Sequence, residues 1–387
     1  MFGERLCSGL KDFVETAFLR TQVGGRLRPA IDKQADPRES RGTDAALFGT
    51  VKQIARATHE RSAKSYLPFA DCASRRWISV VRSLVVGGSG FLGSHVVDAL
   101  LSHGHEVRIL DLRPPIAELS ATWRDVHFLR GDMLDVHALE KATRGCDYVF
   151  HYATTTIPKT SIEDPELDNQ NLVATLRLIR ACLAAKVEKM VFPSSGGTIY
   201  GKPDQLPIPE DAPLRPASPY AATKIAIEAH LAIAHRVHGL DYAVLRYGNP
   251  FGPRQDPAGK MGVVSVVFGL LQNGKSPTLY GDGTTVKDFF YVTDAASAAL
   301  ATLRPSEEHV FNVGSGQGTT LRELLKAMEE VVGRRIDPLQ APRLPGDEPA
   351  CVLDISRIRR VYGWTPTVSL RDGLQETWAW VQTLALR

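Results

Sequence analysis

Ser194, Ser195 and Thr198, followed by Tyr220 and Lys224, gather hydroxyls, a phenol and an ammonium in one short stretch of a 387-residue chain. The run Ser218-Pro219-Tyr220-Ala221-Ala222-Thr223-Lys224 predicts a helix. Residues four apart on a helix share a face, so the phenol and the ammonium are neighbours. A free phenol, with a pKa near ~10, is protonated at neutrality. An ammonium one turn away favours the phenolate, so the spacing predicts a lowered pKa for Tyr220 and service as a general base. Ser195 can hydrogen-bond the oxygen that gains or loses the proton, with Ser194 and Thr198 as competitors for that task. This is a proton-transfer centre.

Residues upstream are patterned to bring a dinucleotide to it. Arg82–Val86 reads as a buried strand, and Gly87-Gly88-Ser89-Gly90-Phe91-Leu92-Gly93 follows at once. Leu92, Val96, Ala99 and Leu100 then take helical core spacing, with Gly104 at the helix end and a second strand, 105–110, closing on Asp111. Gly87 permits a tight turn, Gly90 lets the backbone approach a pyrophosphate, and Gly93 allows close helix packing. The free amides at the helix start receive the phosphate charge. Asp111 accepts from both ribose hydroxyls and repels a 2′-phosphate, which selects NAD over NADP, although Arg113 stands near. Strands at 126–129, 148–151 and 189–193 alternate with helices, and Asp132 sits just past one strand end. The expectation is an α/β fold with a Rossmann-like, doubly wound parallel sheet. On this reading Lys224 also holds the nicotinamide ribose.

Bulk properties exclude other classes. The net charge of +3 is uneven: residues 1–79 carry 14 Lys and Arg against 9 Asp and Glu, the remainder 32 against 34. A body so close to neutral argues against nucleic-acid binding. The longest strongly apolar run, Val263 to Leu271, is too short to span a bilayer, so no membrane insertion is expected. Cys7, Cys72, Cys146, Cys182 and Cys351 are scattered, with no spacing suited to a metal; this favours a reducing, cytoplasmic setting. In the leading segment, Leu6, Leu10, Phe13, Val14, Ala17 and Phe18 fall at helical spacing, and 45–58 is a second helical candidate. We read 1–79 as a poorly ordered extension or short helices; the competing reading is a docking arm.

Taken together, Gly87-x-x-Gly90-x-x-Gly93, Ser194-Ser195-Gly-Gly-Thr198-Ile-Tyr-Gly, Tyr220-x-x-x-Lys224 and Arg246-Tyr-Gly-Asn249-Pro-Phe-Gly-Pro-Arg254 resemble the extended short-chain dehydrogenase/reductase family, and within it NAD-dependent nucleotide-sugar epimerases of the UDP-glucose 4-epimerase type. The resemblance covers about residues 80–380. It implies Ser195, Tyr220 and Lys224 as catalytic, Asp132-Met133 at the adenine, and Ala153 and Asn171 lining or supporting the cofactor site. Dehydratase relatives carry an Asp-Glu pair, and decarboxylases a Glu, where this chain has Gly196, Gly197 and Thr198. Redox at C4 without elimination is what remains.

For the UDP-sugar substrate the resemblance implies Asn249, Lys287 (where Arg is usual) and Arg343 on the diphosphate side. Thr198 lies near the sugar, and Cys351 beside its C2 substituent. A small Cys351 leaves room for an N-acetyl group; a core cysteine is the alternative. A homodimer through paired helices is also implied. The expected division is 1–79 extension, 80–250 NAD-binding and catalytic, and 251–387 mainly substrate-binding with parts returning to the sheet. A net nucleotide-sugar dehydrogenase or 4-reductase uses the same residues, and a non-enzymatic NAD sensor is the distant alternative.

Overall fold

Strand β1 (Arg82–Val86) is buried at every position but its first, as an apolar run must be when a sheet is covered on both faces. The computed structural model describes residues 80–116, 119, 123–259, 261–343 and 349–384, and the helices expected near 6–18 and 45–58 lie outside these. After β1 come α1 (Phe91–Ser102), β2 (Glu106–Asp111), β3 (His127–Arg130), α2 (Val136–Thr143), β4 (Tyr148–His151), α3 (Pro158–Glu163), α4 (Glu166–Ala185), β5 (Lys189–Ser195), α5 (Pro219–His238) and β6 (Asp241–Tyr247). The remainder forms β7 (Asn249–Phe251), α6 (Val263–Gln272), β8 (Thr278–Tyr280), β9 (Val286–Lys287), β10 (Phe289–Tyr291), α7 (Val292–Ala301) and β11 (Val310–Val313). It ends with β12 (Thr319–Thr320), α8 (Leu321–Val332), β13 (Leu339–Ala341), α9 (Ser356–Tyr362) and α10 (Leu370–Leu384).

Seven parallel strands make the central sheet in the order β11-β6-β5-β4-β1-β2-β3. From β1 the chain runs outward through β2 and β3, then crosses to β4 on β1's other side. The crevice between β1 and β4 is therefore the switch point where such sheets bind ligands. Alternate residues of β1 feed opposite faces. Val85 packs with Val96, Val97, Leu100, Ala295 and Ala299, while Leu84 and Val86 pack with Leu110, Leu139, Leu178 and Leu231.

The helix carrying Tyr220 is marked at both ends. Ser218 Oγ accepts from the Ala221 amide and Pro219 occupies the first turn, where a missing N–H costs nothing. Gly239 ends it in the left-handed conformation, at φ 75°. The later part of the chain returns to the sheet as β11, which pairs with β6 through Val310 and Val244.

The long strand β6 stops at Tyr247, and Asn249 and Pro250 belong to a separate short strand. Gly248 N donates to Val313 O at 2.9 Å, but Asn249 N donates to Asp288 O at 2.7 Å, so the chain changes partner at Gly248 and starts β7 against β10. A Cβ at Gly248 would meet Asp288 O at 2.8 Å; a glycine is needed for the crossing. Pro250 is tolerated in a pair this short. Among the described residues no helix is long and apolar enough to cross a membrane.

Candidate active site

At the switch point, Gly87 turns the chain at φ 81°, and a Cβ there would lie 2.4 Å from Ala153 N. A Cβ on Gly93 would lie 2.2 Å from Gly87 O. The third glycine thus protects the turn made by the first. Asp111 Oδ2 accepts from the Ser89 amide at 3.0 Å and Oδ1 from the Arg113 amide at 3.2 Å, so the acid that closes β2 is held at the glycine turn. Gly90 caps α1 without a side chain, and no acidic residue occupies the first turn. The Ser89 hydroxyl is buried without a partner. Free amides, an orphan hydroxyl and a fixed carboxylate fit a dinucleotide, whose diphosphate and ribose would supply what they lack. Phe91 and Leu92 follow directly in the first turn of α1. Asp132 spends Oδ1 on its own turn, accepting from Leu134 N at 2.8 Å, with Met133 half-buried beside it.

Strand β5 ends at Ser195 and the first turn of α5 carries Tyr220; Lys224, one turn further on, ties the helix to the strand at Pro193 O. Ser194 turns inward and donates to Glu228 Oε1. Ser195 Oγ instead accepts from Thr198 Oγ1 at 2.9 Å. Ser194 is thus turned to the interior, whereas Ser195 and Thr198 are bonded to each other.

Lys224 is buried, donates to Pro193 O at 2.8 Å and stands 4.5 Å from the Phe192 ring centroid. Burial pulls its pKa down to about 8, opposed by the charges of Glu228 and Asp168. The predicted lowering of the Tyr220 pKa is not found. Burial raises it, and the Asp168 carboxylate raises it further. The ammonium is 5.4 Å from the phenol ring centroid and bonded to the strand, so burial dominates.

Sequence reasoning missed the polar layer beneath. Arg246 donates to both Glu228 oxygens, at 2.7 Å from Nη2 to Oε2, and to Tyr200 Oη at 2.9 Å; Tyr200 in turn donates to Asn312 Oδ1 at 2.7 Å. The signal was available: Tyr220, Lys224 and Glu228 are spaced by four on one helix face. Asn171 accepts from Thr155 N at 2.9 Å and donates to Thr156 Oγ1 at 2.8 Å, which holds the loop after β4 and Ala153 within it. Asp168 was also unforeseen.

The expected substrate residues are each anchored by neighbouring segments. Gly196 N donates to Tyr247 O at 2.8 Å, and Cys351 Sγ lies 3.4 Å from Gly196 O. Cys351 N donates to Val286 O at 3.0 Å, next to Lys287, whose charge reaches the thiol. Burial nevertheless pushes the Cys351 thiol up to about 12. Asn249 is tied to Asp288, as above, and Arg343 Nη2 reaches Thr285 Oγ1 at 3.3 Å. Asp288 is held by Ser315 N, Ser315 Oγ, Gly316 N and Leu353 N, which fixes the segment bearing Lys287.

The parallel sheet and its glycine turn define a dinucleotide-binding α/β protein, and comparison with known proteins narrows the class. Residues 83–314 match the NAD dependent epimerase/dehydratase family, and the chain belongs to that family. It is 39% identical over 304 residues to the UDP-glucose 4-epimerase of Mycolicibacterium smegmatis, covering 77% of this chain and 97% of that protein. The crystal structure of the Thermus thermophilus UDP-glucose 4-epimerase in complex with NAD is 41% identical with a TM-score of 0.72, covering 78% of this chain and 99% of that one. The UDP-N-acetylglucosamine 4-epimerase of Methanobrevibacter ruminantium M1, in complex with UDP-N-acetylmuramic acid, is 33% identical with a TM-score of 0.74 over 79% and 99%.

Proposed function

We propose that this enzyme catalyses the reversible, NAD-dependent 4-epimerisation of a UDP-hexose or UDP-N-acetylhexosamine through a transient 4-keto sugar. The observations that support the reading are Tyr220 and Lys224 on one turn of α5, Lys224 bonded to Pro193 O near the end of β5, and the Ser195–Thr198 hydroxyl pair at that strand's end, with no carboxylate at 196–198. NAD would bind through Gly87, Ser89, Gly90, Phe91, Leu92, Gly93 and Asp111, accept hydride from C4, return it, and add positive charge near the phenol. Tyr220, neutral in the free chain, would first lose its own proton to solvent, and its phenolate would then take the O4 proton, while Ser195 would hydrogen-bond O4 and Thr198 orient it. Lys224 would stabilise the phenolate. Asn249, Lys287 and Arg343 would meet the diphosphate, the lysine as a point charge without a bidentate fork.

Elimination needs an acid or base beside C5 and C6. At Gly196 a Cβ would lie 2.6 Å from Leu353 Cδ1, so a side chain there requires the leucine to shift. Gly197 opens onto free space, yet carries nothing. We place 80–250 as the cofactor and catalytic part and 251–387 as the substrate part. We also propose a homodimer, supported by exposed Val173 on α4 and exposed Ile233 and Val237 on α5. A cytoplasmic setting is supported by Cys146, Cys182 and Cys351, which are free and buried.

Incubation with a panel of UDP-sugars, resolving the products, tests the reading. The expected result is interconversion of C4 epimers with no net NADH; steady NADH accumulation, or solvent isotope entering stoichiometrically at C4, would overturn it. Cys351→Tyr should lower the ratio of N-acetylhexosamine to hexose turnover. An unchanged ratio would leave Cys351 a core residue only.

A further inference from the structure

A small cavity lies under the Tyr220–Lys224 pair, lined also by His151, Asp168, Asn171, Thr175, Phe192 and Thr223. Two bare acceptors belong to it. Asp168 is 2% exposed; its Oδ1 accepts from Thr156 Oγ1 at 2.6 Å and from Asn171 Nδ2 at 3.4 Å, but its Oδ2 is buried without a partner. His151 is the second. Thr175 Oγ1 gives its hydrogen to Asn171 O at 2.7 Å, so it must accept from His151 Nε2 at 2.9 Å. Nδ1 of His151 is then an unprotonated acceptor, and it too is buried and unpaired.

A buried carboxylate oxygen with nothing to bond carries a heavy desolvation penalty, and such groups persist when a charge compensates them. The compensating charge is at hand. Lys224 has three ammonium hydrogens, of which Pro193 O takes one.

We propose that Asp168 is a positioning residue for the catalytic pair: the counter-charge that, across this cavity and beside His151, holds Lys224 as an ammonium and restrains Tyr220 from losing its proton early. The proposal rests on the epimerase reading above. The other groups facing Asp168 do not replace it. From β4 comes His151, which burial keeps neutral, its pKa down at about 3. From α5 come Tyr220, Lys224 and Glu228, the last bound to Arg246 of β6 and to Ser194 of β5. On α3, Lys159 and Glu163 are exposed or nearly so, as are Glu140 and Lys141 of α2 and Glu166 of α4 itself. The carboxylate raises both partners' pKa values, so its removal shifts both the same way.

Asp168→Asn keeps an oxygen for Thr156 and replaces the charged Oδ2 acceptor with a neutral amide donor. Both limbs of the pH–kcat profile should move to lower pH by about one unit, with thermal stability held or raised because an unpaired buried charge is gone. Thr156→Val, which removes the hydrogen bond and keeps the charge, should leave the limbs in place. Limbs unmoved in Asp168→Asn, or a fall in rate and melting temperature alone, would overturn the proposal. Should Asp168→Asn not fold, Asp168→Ser reads the same displacement; a site that accepts no neutral residue is structural, and the proposal fails. The underlying reading fails separately: Tyr220→Phe with full activity would sink it, whereas an inactive Tyr220→Phe beside unmoved limbs sinks only the role of Asp168.

Discussion

Tyr220→Phe should cost ~10²–10⁴ in kcat, the range of a lost general acid–base, while NAD binding measured by fluorescence titration is kept. The lysine sets a second limit. Lys224 gives up its proton as pH rises through about 8, and the phenolate then loses its cation, so kcat should fall above that pH. A profile flat to beyond pH ~10, the ordinary lysine range, would exclude an essential ammonium. Side-chain type and spacing put Tyr220 and Lys224 on one helix face, because a helix brings residues four apart to one side, and both lie on α5. They did not make the pKa of Tyr220 legible. Burial and the Asp168 charge set it, and neither the depth of a side chain nor a neighbour on a distant helix is written in a local motif.

At the level of elements, β5, β6 and α5 are joined by the buried ion pair of Arg246 and Glu228, both less than a tenth exposed. Removing one member leaves a charge uncompensated, which typically costs about 3–5 kcal/mol. Arg246→Met should therefore lower unfolding stability in urea by about 3–5 kcal/mol, and should loosen Ser194 and Tyr200 with it. The double variant Arg246→Met with Glu228→Leu should recover much of that loss; no recovery would place the effect in packing instead. Strands and helices were legible through period and glycine placement, since β1, α1 and β4 follow directly from apolar runs and turns. The break at Gly248 was not. It arises because Asp288, far along the chain, offers a carbonyl that outcompetes β11, and long-range pairing leaves no mark in the local pattern.

For the molecule as a whole, residues 83–314 carry the family match and about 77% of the chain spans nearly all of a full-length relative. A chain starting at Val80 should keep epimerase activity, measured by coupled assay, because the family match begins at residue 83. Loss of activity would assign the leading segment a part in catalysis or assembly.

The seventh strand has a consequence for synthesis. β6, which bears Arg246 and Tyr247, gains its outer neighbour only when Val310–Val313 leave the ribosome. Until then the nascent protein presents an unpaired parallel edge, the kind that recruits other chains. The stretch between the two strands is made while that edge is open, so chaperone capture should concentrate there, and slow codons just upstream of Val310 would lengthen the exposure.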